Sequence, residues 1–340
     1  MAALKDITKL NGLTLKQLAT WAKIPYTTLM STAERPVNEW KPEIRRMVAN
    51  TLKMDLPEFE KAMNGDVLSP FIKWVGGKRQ LLPSLVSFLP ERYNRYYEPF
   101  IGGGALFLRL APHIATINDF NEELTNTWNV VKNDLTGLKM ILEEHQNNDS
   151  KEYYLKVRSA DRDERLIKMT NTERAARFIY LNKAGYNGLW RVNSHGQNNV
   201  PYGSHKKLNL LSKTLDADSR YLNENHITIT TGDYHDSVQG AQNGDLVYFD
   251  PPYVPVNLTS SFTTYTKSGF GQVQQEQLRD LALNLAERGV HVMLSNSDTI
   301  MVHELYRDPH FTLHSVQAKR FVNSNGARRG NIGELIITTY

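Results

Sequence analysis

From Ser69 to the C-terminus, short apolar runs of β type alternate with segments of helical periodicity. The predicted strands are Tyr96–Phe100, Ala115–Asp119, His226–Thr230, Leu246–Phe249, Val290–Leu294 and Glu334–Thr339. The predicted helices include Ala105–Leu110, Glu122–Asn133 and Gln274–Arg288. Because such alternation folds as an open sheet covered by helices, the pattern predicts an α/β fold with a doubly wound, mostly parallel sheet.

Two segments depart from the alternation and are interpreted as additional domains. Residues of about 138–225 are helical at first and then rich in Gly and Asn, which favours a recognition domain inserted into a catalytic domain of residues 67–340. Residues 1–66 contain only short helical patterns, which predicts a small all-α domain before the catalytic domain.

The N-terminal segment has the features of two helices joined by a tight turn. Thr14 is suited to cap one helix and Pro25 to begin the next, with an apolar face along the first. The segment resembles the helix-turn-helix of Cro/C1-type repressors, in which the second helix enters a major groove. Lys23 departs from that family, which often has Gly at the turn. A helical bundle used for packing or protein contacts is the alternative.

Composition limits the chemistry and the partners of the chain. The 340 residues include no cysteine, which excludes disulfides, a thiolate nucleophile and a cysteine-based zinc site. No signal-peptide core or membrane span is found, so a cytoplasmic protein is expected. The net charge is only +4, but residues 174–215 and 309–333 carry Lys and Arg without any acid. We interpret them as a polyanion-facing surface, the alternative being a solvated basic face.

The sequence Asp250-Pro251-Pro252-Tyr253 directly follows the apolar strand Leu246–Phe249. Because proline has a fixed φ and no N–H, the backbone after Asp250 neither continues as a strand nor begins a helix. The Asp250 carboxylate and the Pro251 carbonyl can then both accept hydrogen bonds from one NH2 group, while Tyr253 stacks on the ring that carries it. The pattern indicates a site for an aromatic amine, although two prolines can also simply end a strand.

A glycine-rich turn, Gly102-Gly103-Gly104, joins the first predicted strand to its helix. Glycines at such a turn let the backbone approach a ligand closely. Asp119 ends the next strand, where a carboxylate holds ribose hydroxyls in open α/β sheets. This spacing also suits NAD, but no Gly-x-Gly-x-x-Gly fingerprint is present. Asp233 follows another strand and is placed to hold an adenine amine.

Five motifs follow one another along the chain. They are Phe71-Ile72-Lys73-Trp74-Val75-Gly76-Gly77-Lys78, Glu98-Pro99-Phe100-Ile101-Gly102-Gly103-Gly104, Asn187-Gly188-Leu189-Trp190-Arg191, Asn199-Val200-Pro201-Tyr202-Gly203 and Asp250-Pro251-Pro252-Tyr253. In this order they resemble the motifs of Dam-like DNA adenine-N6 methyltransferases, over about Pro70 to Tyr340. Each motif alone is weakly specific, whereas the ordered set is highly specific.

The resemblance implies S-adenosylmethionine as the methyl donor and direct transfer to adenine N6, without a covalent enzyme intermediate or a metal. It places the cofactor contacts on Trp74, Lys78, Phe100, Gly102, Asp119, Asp233 and Asp250. It places catalysis on Asp250, Pro251 and Tyr253. The histidines show no metal-ligand spacing, and His195 and His205 are expected at the surface or near phosphates.

The implied substrate is double-stranded DNA, from which the adenine is flipped out of the helix. The residues implied to contact DNA are Lys73, Tyr186, Asn187, Leu189, Arg191 and Pro201, with Tyr186 filling the space that the adenine leaves. Residues 189–192 and 198–201 are predicted to form a β-hairpin that enters a groove, and Ser260–Tyr265 to close over the base or hold phosphates.

GATC is the expected target, and a restriction endonuclease of the same system is a partner that the resemblance suggests. Two other functions remain open from the sequence. One is a DNA-binding regulator with a degenerate methyltransferase half. The other is methylation of RNA or of a small-molecule amine.

Overall fold

The structure is a computed structural model that describes residues 2–63, 67–205, 208–212, 214–254, 270–319 and 331–340. The chain divides into two compact units. The sheet unit comprises Ser84–Ile101, Pro112–Glu122 and Asn225–Tyr340. The helical unit comprises Met1–Pro83, Gly102–Ala111 and Glu123–Glu224.

The described strands of the sheet unit form one mixed sheet. They are β1 Tyr96–Glu98, β2 Ile114–Asp119, β3 His226–Thr231, β4 Leu246–Phe249, β5 His291–Ser297, β6 Thr312–Lys319 and β7 Asn331–Thr338. The order is β3-β2-β1-β4-β5-β7-β6, with β1 to β5 parallel and β7 antiparallel to both β5 and β6. The predicted α/β fold with a mostly parallel sheet is confirmed, and β6 is a strand that the sequence pattern missed.

Helices occupy much of the helical unit, and further helices lie within the sheet unit. In chain order they are α1 Ala2–Leu10, α2 Leu15–Trp21, α3 Tyr26–Ala33, α4 Pro42–Thr51, α5 Leu56–Met63, α6 Leu82–Ser87, α7 Ala105–Leu110, α8 Glu122–Asn133, α9 Leu135–Asn147, α10 Lys151–Arg158, α11 Arg165–Lys168, α12 Asn171–Ala184, α13 Thr214–Glu224, α14 Tyr234–Ser237, α15 Gln272–Glu287 and α16 Ile300–Leu305. None of the described helices has the length and apolarity that crossing a membrane requires.

The order of the parallel strands reverses between β1 and β4. Tyr96 of β1 pairs with Leu246 of β4, so the two strands lie side by side in parallel. In open α/β sheets, ligands bind beyond the carboxyl ends of the strands at such a reversal. Here β1 leads into Phe100 and β4 leads directly into Asp250. The sheet therefore holds these two sequence-predicted residues at the edge where sheets of this kind bind ligands.

The N-terminal helices have the local signals that the sequence predicts. Thr14 caps α2 through a capping box, in which its side chain accepts the Gln17 N–H at 3.2 Å and Gln17 Oε1 accepts the Thr14 N–H at 2.9 Å. Lys23, in the turn before α3, has a φ of 54°, the left-handed region that glycine adopts most easily. The turn therefore has the expected backbone conformation without glycine. The proposed boundary at residue 66 stays a prediction.

Candidate active site

Aromatic side chains cluster around Phe100 at the carboxyl end of β1. The Phe100 ring stacks on Tyr234 with 5.2 Å between centroids and meets Phe249 and Phe270 edge-on at 6.4 and 5.7 Å. Phe249 ends the buried strand β4, and Tyr234 begins the helix after β3. The cluster gives this edge of the sheet a rigid apolar surface of the kind on which a planar group packs.

Asn118, which sequence analysis did not single out, ties three strand ends together. Its Nδ2 donates to the Pro99 carbonyl at 3.1 Å and to the Gly232 carbonyl at 3.0 Å. Its own carbonyl accepts the Ile101 N–H at 2.8 Å. Asn118 is buried, so these bonds are protected from water and hold the chain after β1 in register with β2 and β3.

Two carboxylates expected at the cofactor follow β2 and β3. Asp119 is half-buried at the end of β2, and its Oδ1 accepts the Asn121 N–H at 3.0 Å. Asp233 is exposed, and its Oδ1 accepts the His235 N–H at 2.8 Å as the N-cap of α14. The structure thus gives Asp233 a capping role. Both residues belong to the sheet unit, and their contacts with a cofactor stay predictions.

The chain after Asp250 is fixed by two buried amide side chains. Gln275 of α15 donates from Nε2 to the Pro252 carbonyl at 2.9 Å. Asn296 of β5 accepts the Val254 N–H at 3.2 Å and donates to Gln275 Oε1 at 3.0 Å. Both amides are buried, and neither was identified from the sequence because their partners lie more than 20 positions away.

The ring of Tyr253 is held through its hydroxyl. That hydroxyl donates to Oε2 of Glu334 on β7 at 3.0 Å. Burial, and the nearby carboxylate of Asp250, raise the pKa of Tyr253 well above its usual value. The phenol therefore stays protonated at neutral pH and keeps donating to Glu334, so the orientation of the ring is set by β7.

In the helical unit, Trp74 packs against the glycine-rich turn. Gly102 has a φ of 46°, and a Cβ placed there would lie 2.5 Å from Cδ1 of Trp74. The Gly102 carbonyl accepts the indole N–H of Trp128 at 3.2 Å. Lys78 is buried, and its Nζ donates to the Gly76 carbonyl at 2.8 Å. Glycine at 102 is thus required by the close approach of Trp74 and by its left-handed backbone.

Buried Asn182 of α12 brings together two segments that were predicted to contact DNA. Its Oδ1 accepts the Lys73 N–H at 2.9 Å, and its Nδ2 donates to the carbonyls of Lys73 and Gly188 at 2.8 and 2.9 Å. Gly188 has a φ of 66°, and a Cβ there would lie 2.4 Å from Cδ of Lys73. Lys73 and the segment Tyr186–Gly188 are therefore neighbours, which sequence spacing alone did not reveal.

The predicted β-hairpin is only partly present, because its arms pair too briefly to form strands. They are joined by the isolated antiparallel bridge Val192–Asn198 and by the Asn199 N–H, which donates to the Arg191 carbonyl at 3.1 Å. Exposed Arg191 also donates from Nε to Asn199 Oδ1 at 2.6 Å. The base of the segment is closed by the Tyr186 N–H, which donates to the Pro201 carbonyl at 2.9 Å.

The other predicted DNA contacts differ in exposure. Tyr186 is 51% exposed, and Leu189 is half-buried. Asn187 is exposed and has a φ of 54°, the left-handed conformation that asparagine tolerates better than most residues. Pro201 is exposed. We call residues 186–201 the recognition segment, and the contacts of these residues with DNA stay predictions.

A buried ion pair holds the second arm of the recognition segment. Asp161 Oδ2 accepts the Asn198 N–H at 2.7 Å and an N–H of Arg177 at 2.9 Å. Arg162 donates to the Asn198 carbonyl at 2.6 Å, and Arg158 donates to the Val200 carbonyl at 2.8 Å. The arm is therefore fixed by side chains from α10, α12 and the turn between α10 and α11.

Two cations of residues 174–215 do not belong to the predicted polyanion-facing surface, and the rest of that surface stays a prediction. Arg174 pairs with Glu123, and Arg177 is buried against Asp161. Acids that lie elsewhere in the sequence thus neutralise two cations of the stretch. The predicted loop Ser260–Tyr265 lies outside the described residues. So do six other cations of the two basic stretches, which are Lys206, Lys207, Lys213, Arg320, Arg328 and Arg329.

The two histidines that were predicted at the surface or near phosphates have different surroundings. His195 is exposed, whereas His205 is half-buried, with Nε2 2.7 Å from Asp149 Oδ2. Among the described residues, no group of three or more His, Asp or Glu side chains is arranged to hold a metal ion.

The sequence matches a family model and several named relatives. The model of the D12 class N6 adenine-specific DNA methyltransferases matches residues 74–322. The Type II methyltransferase M1.LlaDCHI of Lactococcus lactis subsp. cremoris is 50% identical over 80% of this chain and 96% of its own length. The Type II methyltransferase M.MjaIII of Methanocaldococcus jannaschii is 38% identical over 80% of this chain and 99% of its own length. The DNA adenine methylase of Escherichia coli K12 is 34% identical over 78% of this chain and 93% of its own length.

The matched region contains both the Asp250 strand end and the recognition segment. The alignments with the three relatives cover 78–80% of the chain and 93–99% of the length of each relative. The predicted enzyme class, an adenine-specific DNA methyltransferase, is thereby confirmed. The chain belongs to the family of D12 class N6 adenine-specific DNA methyltransferases.

Proposed function

We propose that the chain transfers a methyl group from S-adenosylmethionine to N6 of an adenine in double-stranded GATC sites, after that adenine is flipped out of the helix. The observation that carries the proposal is the position of Asp250, directly after a fully buried strand at the point where the strand order reverses. Ligand sites of open α/β sheets form at this point.

The residues at this edge of the sheet suit the proposed donor. Phe100 offers a rigid aromatic surface, and Asp119 offers carboxylate oxygens at the end of the neighbouring strand. S-adenosylmethionine supplies an electrophilic methyl group on a positively charged sulfur. The proposal assigns Phe100, Asp119, Asp233 and Asp250 to this cofactor from the sheet unit. From the helical unit it assigns Trp74, Lys78 and Gly102, on the basis of the family motifs.

Asp250 and Pro251 activate the adenine amine in this proposal. Their carboxylate and carbonyl oxygens accept hydrogen bonds from the two N6 protons, which draws the nitrogen lone pair out of conjugation with the ring. N6 then forms a bond to the methyl carbon as the bond from that carbon to sulfur breaks. The negative charge of Asp250 stabilises the positive charge that develops on N6, which afterwards loses one proton.

Tyr253 stacks on the flipped adenine and offsets part of the cost of unstacking it, which is a few kcal/mol. The bond from its hydroxyl to Glu334 supports this role because it holds the ring in one orientation. Tyr186 fills the space that the adenine vacates, and its exposure supports this role.

The proposal assigns recognition of GATC to Lys73, Asn187, Leu189, Arg191 and Pro201. Arg191 has the strongest chemical basis, because a guanidinium group donates two hydrogen bonds to O6 and N7 of guanine. Such a contact contributes about 1–3 kcal/mol of discrimination against other bases. A restriction endonuclease that cuts the same unmethylated sequence is the proposed genetic partner.

The test is transfer of a labelled methyl group to defined duplexes, followed by identification of the methylated nucleoside. We expect N6-methyladenine in a GATC duplex and about ten- to a hundredfold less in duplexes with one changed base pair, which corresponds to the 1–3 kcal/mol that a mismatch costs. Asp250→Ala should abolish transfer, whereas Asp280→Ala, which removes an exposed carboxylate from α15, should not.

Three results would contradict parts of the proposal. Methylation of another sequence would refute GATC while keeping the chemistry. Faster methylation of RNA than of DNA would refute duplex DNA as the substrate. Unchanged transfer by Asp250→Ala would refute the role of this carboxylate.

A further inference from the structure

The N-terminal helices α1 to α5 form a folded module outside the region that the family model matches, which begins at residue 74. They enclose an apolar core of their own, with buried members that include Leu4, Leu18, Leu29, Val48 and Phe59. A core of this kind indicates a stable structure rather than a flexible tail. The module therefore calls for a role that the methyltransferase motifs do not explain.

The module is attached to the methyltransferase part of the helical unit at one end of α4. Arg109 of α7 donates from Nη2 to the carbonyls of Leu52 and Lys53, at 3.2 and 2.7 Å. The Lys53 side chain donates in turn to the Pro83 carbonyl at 3.2 Å. These contacts involve the end of α4 and leave α2 and α3 uninvolved.

The surface of α2, α3 and their turn is basic. Residues 7–33 contain three lysines and no acid. Lys16 on α2 and Lys23 in the turn are both exposed. A folded surface with exposed cations and no acid of its own complements the phosphate backbone of a nucleic acid.

One face of α3 carries small polar groups suited to the edges of base pairs. Thr27, Thr28 and Ser31 are exposed, and because Ser31 lies four positions after Thr27 and three after Thr28, the three side chains share one face of the helix. Leu29 and Ala33 are buried on the opposite face. Hydroxyls both donate and accept hydrogen bonds, and threonine methyls contact the methyl group of thymine.

The connection between α2 and α3 is short enough to fix their relative orientation. Only residues 22–25 separate the helices, and Lys23 adopts the left-handed conformation that reverses the chain there. When two helices are joined in this way, the second can lie in the major groove while the first crosses the phosphate backbone.

We propose that α2 and α3 form a second binding surface for double-stranded DNA, built from residues other than those of the recognition segment. Thr27, Thr28 and Ser31 contact base edges, and Lys16 and Lys23 contact phosphates. The surface selects a sequence of its own. It goes beyond the proposed methylation activity, because it serves to bind DNA at a sequence that is not modified.

The experiment selects duplexes from a random library that lacks GATC, using the full chain. We expect one motif to be enriched. The double variant Thr27→Ala, Thr28→Ala should bind that motif at least about tenfold more weakly, the loss expected for one base-pair contact. The double variant should methylate GATC duplexes at the same rate as the unchanged protein. An unchanged rate also shows that the variant is folded.

A charge variant provides a second measurement that does not depend on base contacts. Lys16→Gln should reduce the slope of log affinity against log salt by about one for the selected duplex, as loss of one phosphate contact does. The matched control is Lys61→Gln. It removes an exposed lysine from α5, which packs on α1 and α4, and should leave the slope unchanged.

Three outcomes would overturn the proposal. Either no motif is enriched, or the enriched motif binds the threonine variant as tightly as the unchanged protein, which would assign the motif to another part of the chain. If the threonine variant also loses methylation, its weaker binding no longer tests the surface, and the salt dependence of Lys16→Gln is used instead. Equal slopes of log affinity against log salt for Lys16→Gln and Lys61→Gln would then refute the surface.

Discussion

The hydroxyl of Tyr253 donates a 3.0 Å hydrogen bond to Glu334, which lies 81 positions further along the chain. Glu334 belongs to β7 and pairs in register with Ser297 of β5. The two prolines after Asp250 stiffen the backbone, but they leave the tyrosine ring free to rotate. The antiparallel strand β7 supplies the acceptor that fixes the ring, so a strand far from the motif in sequence completes it.

The first prediction separates the ring of Tyr253 from its hydroxyl. Tyr253→Phe keeps the ring and should lower kcat/KM only several-fold, because only the bond to Glu334 is lost. Tyr253→Ala should lower it about ten- to hundredfold, since stacking of a base on an aromatic ring is worth about 1–3 kcal/mol. Steady-state methylation of a GATC duplex measures both, and equal losses would contradict the stacking role.

The second prediction concerns Asn182, which is buried and joins Lys73 to Gly188. Asn182→Ala leaves buried backbone groups unsatisfied and should lower the free energy of unfolding by about 3 kcal/mol. The KM for DNA should rise more than kcat falls, because Lys73 and Gly188 lose their fixed spacing. The control is Asn126→Ala, which removes a single exposed bond to the Asn171 carbonyl and should change neither value appreciably.

The third prediction tests the ion pair beneath the recognition segment. The side chains of Asp161 and Arg177 are only 7% and 3% exposed. Asp161→Asn can still accept the Asn198 N–H, but it removes the negative charge that pairs with buried Arg177. We expect the free energy of unfolding to fall by about 3 kcal/mol and discrimination between GATC and altered sites to weaken. Asp163→Asn, on an exposed pair with Arg165, should leave both unchanged. Urea unfolding and competition between duplexes provide the measurements.

The fourth prediction is a pH dependence of stability centred on His145. Burial lowers the pKa of His145 from 6.5 to about 4. Because the folded state disfavours the protonated ring, stability present above pH 6.5 is lost as the pH falls toward 4, by at most about 3 kcal/mol. His145→Gln should reduce the loss between pH 7 and pH 4.5 in urea unfolding, whereas His195→Gln, at an exposed position, should not. Identical losses in both variants would contradict the assignment.

Local features of the fold could be predicted because their causes are local. The capping box of Thr14 and Gln17 lies within four residues, and β4 ends where Asp250 is followed by proline. Helices Ala105–Leu110 and Glu122–Asn133 have the bounds predicted from periodicity. Strand β6 was missed because its place in the sheet depends on pairing with β7.

Two cations of the basic stretch depart from the polyanion-facing surface for a related reason. Charge along the sequence does not reveal which acid a cation will meet after folding. Arg174 and Arg177 have no acid near them in sequence, yet Glu123 and Asp161 pair with them in the helical unit.

The sequence by itself determined the enzyme family, the alternation of strands and helices along most of the chain, and the position of Asp250 after a buried strand, because motifs, periodicity and proline act through neighbouring residues. Only the tertiary structure decided which side chains hold the site. Asn118, Asn182 and Glu334 satisfy polar groups up to 114 positions away, and a buried hydrogen bond depends on distance in space rather than along the chain.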